Sequence, residues 1–286
     1  MNGRAGGERR GFTMIELIVA IVVSTIVLAA SYMLLSNNQR FYRSQTQVVD
    51  VQQNIRAVAQ ILPSELREIS GAGGDIQLMT DTALVIRAMR GFGVICDTSG
   101  LAGGRFTYRS SQWWAFRYIQ PGRDNVLIFN DRVANMASDD QWVEGVVSSW
   151  ASGTCPDATP GIVVQLSSAV GGFAGLATVT QGSPFRSAEL VRYSLMQESG
   201  RYWLGVSSFA SGAWTAPSAV AGPLRSRDGI AFSYFNAAGA VTTDSSQVAA
   251  IRVTVRGESS QAIQMQGRPT GTYADSLTVT VALRGN

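Results

Sequence analysis

From Phe12 to Leu35 the chain carries 24 residues and a single acidic or basic side chain, Glu16. A helix of that length rises roughly 36 Å, enough to cross a bilayer core of about 30 Å. Beyond it, Phe41, Val48, Val51, Ile55, Val58, Leu62, Leu66 and Ile69 recur at spacings of seven, three and four, with Gln, Arg, Asp and Asn between them. That spacing puts the apolar set on one helical face. No glycine occurs between Phe12 and Ser70, while 26 follow from Gly71 onward. The pattern predicts one long helix, transmembrane over 12–35 and amphipathic over 36–70, which lays its stripe on a globular head. Pro63 lacks an N–H and clashes with the preceding turn, so a kink or restart is expected there, with 64–70 as a separate short helix.

Gly71-Ala72-Gly73-Gly74 reads as a linker, after which the period changes to two. Strands are expected at 83–90, 113–119, 126–130, 142–147, 161–166, 189–196, 202–209, 229–235, 248–256 and 276–283, rich in Val, Ile, Phe, Tyr and Trp. Glu198-Ser199-Gly200 and Asn236-Ala237-Ala238-Gly239 read as hairpin turns. After Ser70 no helical pattern of ten or more residues appears. The expected fold is α+β: a long N-terminal helix packed on a mostly antiparallel β-sheet head over 71–286.

Composition narrows the function. A 286-residue chain with 45% hydrophobic and 15% charged residues suits a globular head with a sizeable core. The net charge is +3, but residues 1–11 contribute +2 of it through Arg4, Arg9 and Arg10 against Glu8. The basic balance is therefore poor support for nucleic-acid binding. All 23 cations are Arg, with no Lys and no His. This excludes Ser-His-Asp and Cys-His catalysis, His-ligated metals, a P-loop lysine and Schiff-base chemistry. No enzyme activity and no cofactor are expected.

The sequence Arg9-Arg10-Gly11-Phe12-Thr13-Met14-Ile15-Glu16, followed by some twenty apolar residues, resembles a type IV prepilin. The resemblance covers about the first 60 residues. It implies that prepilin peptidase cuts between Gly11 and Phe12, that Phe12 becomes N-methylated, and that Glu16 takes part in filament assembly. It also implies a single-pass protein of the bacterial inner membrane, with its head in the periplasm and other pilins or pseudopilins as partners. In an exported chain the two cysteines, Cys96 and Cys155, read first as a disulfide, with two buried free thiols as the alternative. Arg9-Arg10 also resembles a twin-arginine signal, with Ala29-Ala30-Ser31 as a cleavage site. Glu16 and the helical pattern that continues past Leu35 argue against that.

The head is large for a major pilin, and Met33 stands where major pilins usually carry a proline. The resemblance thus implies a minor pilin of the PilW kind that joins or primes a pilus, or a J-type minor pseudopilin of type II secretion. A pilus-tip adhesin is a further reading. Candidate ligand groups elsewhere are weak. Ser138-Asp139-Asp140 lacks calcium-loop spacing and reads as a solvated turn. Trp113 and Trp114 alternate, one towards the core and one outward; with Arg117 they read as core or subunit contact, with stacking on a ligand or on DNA bases as the alternative. Arg225 and Arg227 form no phosphate track. Loops 171–175 and 207–223 are the places expected to touch partners.

Overall fold

The computed structural model describes residues 12–115, 117–132, 136, 139–264 and 269–284. One helix, α1, runs unbroken over Met14–Leu66. Among the described residues thirteen strands follow: β1 Ile76–Met79, β2 Ala83–Asp97, β3 Arg105–Ala115, β4 Asp124–Asn130, β5 Gln141–Thr154, β6 Pro160–Ala169, β7 Pro184–Glu198, β8 Arg201–Ala210, β9 Ala213–Trp214, β10 Ser218–Leu224, β11 Ile230–Phe235, β12 Ala250–Glu258 and β13 Ala274–Ala282. Every pairing is antiparallel. This is the α+β architecture that the two periodicities imply. The chain gathers into two compact units, Met1–Asp50 with Ser259–Tyr273, and Val51–Glu258 with Ala274–Asn286.

In the second unit, α1 buries Val51, Ile55, Val58, Leu62 and Leu66, which are the stripe residues from position 51 onward. They join Ile86, Val191, Leu204, Phe232, Ile251 and Val253 in one apolar core. Gly257 of β12 allows the close approach of helix and strand: a Cβ there would lie 2.8 Å from Ile55 and 2.9 Å from Val51. The expected restart at Pro63 does not occur, because the helix runs on to Leu66. Proline removes a single ladder bond, one turn before the helix ends. Leu62, Pro63 and Leu66 are all buried, so packing holds the last turn in place. No separate helix forms over 64–70.

The strands do more than form an open sheet. β2 pairs with β3 and also with β7, and the order β2-β3-β6-β5-β4-β7 returns to β2. Six strands therefore close a ring, which leaves no free edge among them. Its interior holds Phe106, Tyr108, Val126, Ile128, Val164, Leu166 and Phe185. Trp113 stacks on Phe185 with centroids 5.6 Å apart. β2 and β7, each 15 residues long, serve both this ring and the sheet behind α1. Two strand expectations need correction. The predicted strand at 113–119 is the end of β3, which begins at Arg105 and stops at Ala115; the polar run Arg109-Ser110-Ser111-Gln112 hid it. The loop expected at 207–223 contains the end of β8, β9 and β10, whose small residues and Pro223 carry little alternation. Gly71 to Gly74 is likewise a bonded turn, not a linker. Gly74 N–H donates to the Gly71 carbonyl at 2.9 Å, and the Asp75 carboxylate accepts from Ser70 N–H at 3.0 Å. The β7–β8 connection is the expected two-residue hairpin, with φ of 51° at Ser199 and 76° at Gly200.

A buried ionic knot sits where β2, β7 and β4 meet. Glu189 of β7 is 2% exposed and accepts from Arg90 (3.0 Å), Arg117 (3.1 Å) and Arg123 (2.6 Å). Arg90 also reaches Glu65 of α1 at 3.0 Å, and Arg117 reaches Asp124 at 2.6 Å. Burial alone would raise the Glu189 carboxyl. Hydrogen bonds from Ser208, Arg90 and Arg123 outweigh it and hold the group at about 2, below its ordinary 4.5. A second buried pair, Arg186 with Asp75 at 3.0 Å, ties β7 to the turn after α1. Cys96 of β2 and Cys155, just past β5, form a disulfide with Cα atoms 5.6 Å apart and 59 positions between them.

Two predictions follow from this core. Thiol labelling of the unfolded, unreduced chain should find no free cysteine, and Cys96→Ser should cost ~4 kcal/mol by the chain-entropy relation; two labels per chain would contradict the bridge. Glu189 titrates lower folded than unfolded, so its stabilisation is complete above about pH 4.5 and is lost as the pH falls towards 2. Glu189→Gln should lower stability by about 3 kcal/mol at neutral pH, because it leaves buried arginines short of charge. It should also flatten the loss of melting temperature between pH 5 and pH 3, which is measurable by circular dichroism.

Candidate functional site

The residues that carry the prepilin resemblance lie at the start of α1. Gly11, with the rest of residues 1–11, falls outside the described residues. Phe12 is 82% exposed, and Thr13 precedes the helix. The Thr13 hydroxyl accepts from the Glu16 backbone N–H at 3.3 Å, while the Thr13 carbonyl accepts from Leu17 N–H at 3.2 Å. Thr13-Met14-Ile15-Glu16 is thus a capping-box sequence, and the hydroxyl satisfies one of the donors a helix start leaves open. That spacing is visible in the sequence, but the reading of Glu16 as an assembly residue passed over it. Glu16 sits in the first helical turn, where the aligned peptide dipoles favour a negative charge. Glu16 therefore has a local structural place at the helix start.

The apolar face around Glu16 is uncovered. From Phe12 to Leu35 the large apolar side chains are between 50% and 82% exposed. None of the most apolar stretch of α1 is buried, and the helix is long and apolar enough to cross a membrane. Phe41 is also 63% exposed, so the amphipathic stripe is buried only from Val51 onward. A water-exposed surface of this kind requires another apolar medium, either lipid or further helices.

The other candidates in the sequence have separate positions. Trp113 faces the ring interior, whereas Trp114 faces outward at 58% exposure, 6.1 Å from Phe92. Arg117 is held by Asp124 and Glu189. Arg225 pairs with Asp228 at 3.5 Å. Ser138 lies outside the described residues; Asp139 and Asp140 approach Asp131, with carboxylate oxygens within 4.8 Å of one another. In the 171–175 loop, Phe173 to Leu176 form a short 3-10 turn whose Leu176 is buried against the ring core. Glu189, Arg90 and Arg123, which meet in the ionic knot, were not singled out by the sequence, because no local spacing links them.

No curated protein and no solved structure matches this chain. Residues 8–32 match the prokaryotic N-terminal methylation motif. The apolar helix and this motif together fit anchoring in a membrane. The motif points to a structural rather than an enzymatic protein, and it makes the chain type IV pilin- or pseudopilin-like at its N-terminus.

Proposed function

We propose that the chain is a minor type IV pilin, a subunit that joins or primes assembly of a pilus after prepilin peptidase removes residues 1–11. The observation that carries this reading is the methylation motif over residues 8–32, set directly against a 53-residue helix whose first half is apolar and exposed. On this reading the subunit first spans the inner membrane with its head in the periplasm. Residues 12–35 then leave lipid for a bundle of like helices, residues 36–70 connect to the head, and residues 71–286 face outward.

The chemistry assigned to Glu16 follows from its surroundings. Cleavage after Gly11 creates an α-amine on Phe12, about 6 Å along the helix axis from Glu16. A carboxylate inside lipid costs on the order of 3 kcal/mol, and an ammonium from a neighbouring subunit offsets part of that cost. Lipid tails give apolar helices no hydrophobic reason to associate. The Glu16–Phe12 contact between neighbours would supply both the attraction and the axial register. Glu16 is then an assembly residue, not a catalytic one. Met33, in place of the proline usual in major pilins, supports a minor subunit. The turn at Asn236, where the side chain accepts from Ala240 N–H at 2.9 Å, resembles in sequence style the J-type minor pseudopilins of type II secretion, and that is the second reading.

Intact-mass measurement of protein from the cell envelope tests the processing step. The expected species begins at N-methyl-Phe12 and lacks eleven residues. A mature form that begins near Tyr32, or one that still carries Met1, would contradict the proposal.

A further inference from the structure

The first unit holds a second polar site on the same helix. Arg40, Arg43, Ser44 and Gln47 are spaced i, i+3, i+4 and i+7, so they share one face of α1. Ser259–Tyr273 belongs to the same unit and is fastened to this face. Gln47 Oε1 accepts from the Ser260 N–H at 3.0 Å and from its hydroxyl at 2.8 Å. The Ser44 hydroxyl donates to the Gln264 carbonyl at 3.2 Å. The segment is also closed on itself: Ser259 N–H donates to the Tyr273 carbonyl at 2.8 Å, and Ile263 N–H to the Gly271 carbonyl at 2.8 Å. The same face borders a cavity of about 500 Å³ lined by Arg40, Arg43, Ser44, Gln47, Gln261 and Thr270 among others. Among the described residues no carboxylate lies within ion-pair distance of Arg40 or Arg43.

The depth of these two arginines identifies what meets them. The helix continues without a break past Leu35, so Arg40 and Arg43 lie roughly 8 Å and 12 Å beyond the last apolar residue. Helical side chains lean towards the N-terminus, here back towards the apolar run, and long arginine stems reach further in that direction. The polar layer of a bilayer is about 5–7 Å deep on each side. With residues 12–35 across the membrane, the Arg40 guanidinium lies at headgroup level and that of Arg43 at its outer rim, beside an exposed Tyr42 of the kind that favours the interface. Two arginines at the translocated end of a span also run against the usual charge bias, and a local anion accounts for them. Guanidinium forks match phosphate oxygens with two parallel hydrogen bonds.

We propose that Arg40 and Arg43, walled by residues 261–264 and Thr270, bind the phosphate of an anionic phospholipid headgroup. The proposal rests on reading residues 12–35 as a span and goes beyond it by naming a lipid class and the residues that select it. The test uses the full chain in nanodiscs of phosphatidylcholine with a minor fraction of phosphatidylglycerol. Native mass spectrometry then counts the lipid retained on release. The wild-type chain should retain phosphatidylglycerol in preference to phosphatidylcholine. Arg40→Gln with Arg43→Gln should reduce that preference about tenfold. Gln47→Ala, which frees the wall without changing the charge, should reduce it too. Equal retention by wild type and the double arginine variant would overturn the site, and an unchanged Gln47→Ala would overturn the role of the wall. Inorganic phosphate should fail to displace the lipid; displacement would make this a free-phosphate site and contradict the proposal. Flotation with vesicles is scored separately. A chain that does not float contradicts the span, and this site with it. A chain that floats without lipid preference contradicts this site alone.

Discussion

Among the described residues nothing covers the first half of α1, and this constraint governs the rest. Sixteen large apolar side chains between Phe12 and Leu35 stay at least half exposed. Each forgoes roughly 2 kcal/mol in water relative to an apolar surrounding. Two media remove that cost, a bilayer and a bundle of similar helices. On the proposed reading a subunit presents the same surface to both media, and a polar contact is what distinguishes them. Glu16 is the one acidic or basic residue in the stretch. It is tolerated at the helix start, where Thr13 caps the helix and the peptide dipoles favour an acid.

The second half of the same helix solves a different problem. From Val51 onward its stripe completes a core with the strands behind it, and Glu65 joins the ionic knot through Arg90. β2 and β7 run from that core into the six-stranded ring, so the helix-backed sheet and the ring share two long strands. Glu189 lies on one of them at the seam. Arginine suits this place: its planar fork serves two carboxylates at once, as Arg90 does for Glu65 and Glu189, and as Arg117 does for Asp124 and Glu189. A chain whose cations are all Arg is well supplied for such contacts. The Cys96–Cys155 bridge then ties β2 to the turn after β5 on the ring.

Local features of this molecule could be read from its sequence, and non-local ones could not. The span, the helical stripe from Val51, the Ser199-Gly200 hairpin and the alternating strands β7 and β12 depend on spacings of two to seven residues. The ring depends on β2 meeting β7 about a hundred positions later, as in Met89 with Ala188, and no short pattern encodes that. The ionic knot is similar. Arg90, Arg117 and Arg123 lie 99, 72 and 66 positions from Glu189, so each looks like an ordinary surface charge in sequence. Pro63 misled for the opposite reason: its local rule is sound, but the burial of Leu62 and Leu66 overrides it. At the N-terminus, Phe12 and Glu16 were legible as a motif, and the Thr13 cap was legible as well but was eclipsed by it.

The central claim is that Glu16 sets the register between subunits in the filament core. Glu16→Val tests it most directly, because the substitution keeps the span apolar and leaves the Gly11–Phe12 junction intact. The measurement is the ratio of variant to wild-type chain in filaments sheared from cells that express both at equal membrane levels. The account predicts normal insertion and cleavage of the variant, with its near-absence from the sheared filaments. Recovery of Glu16→Val chains in filaments at the wild-type ratio would contradict it.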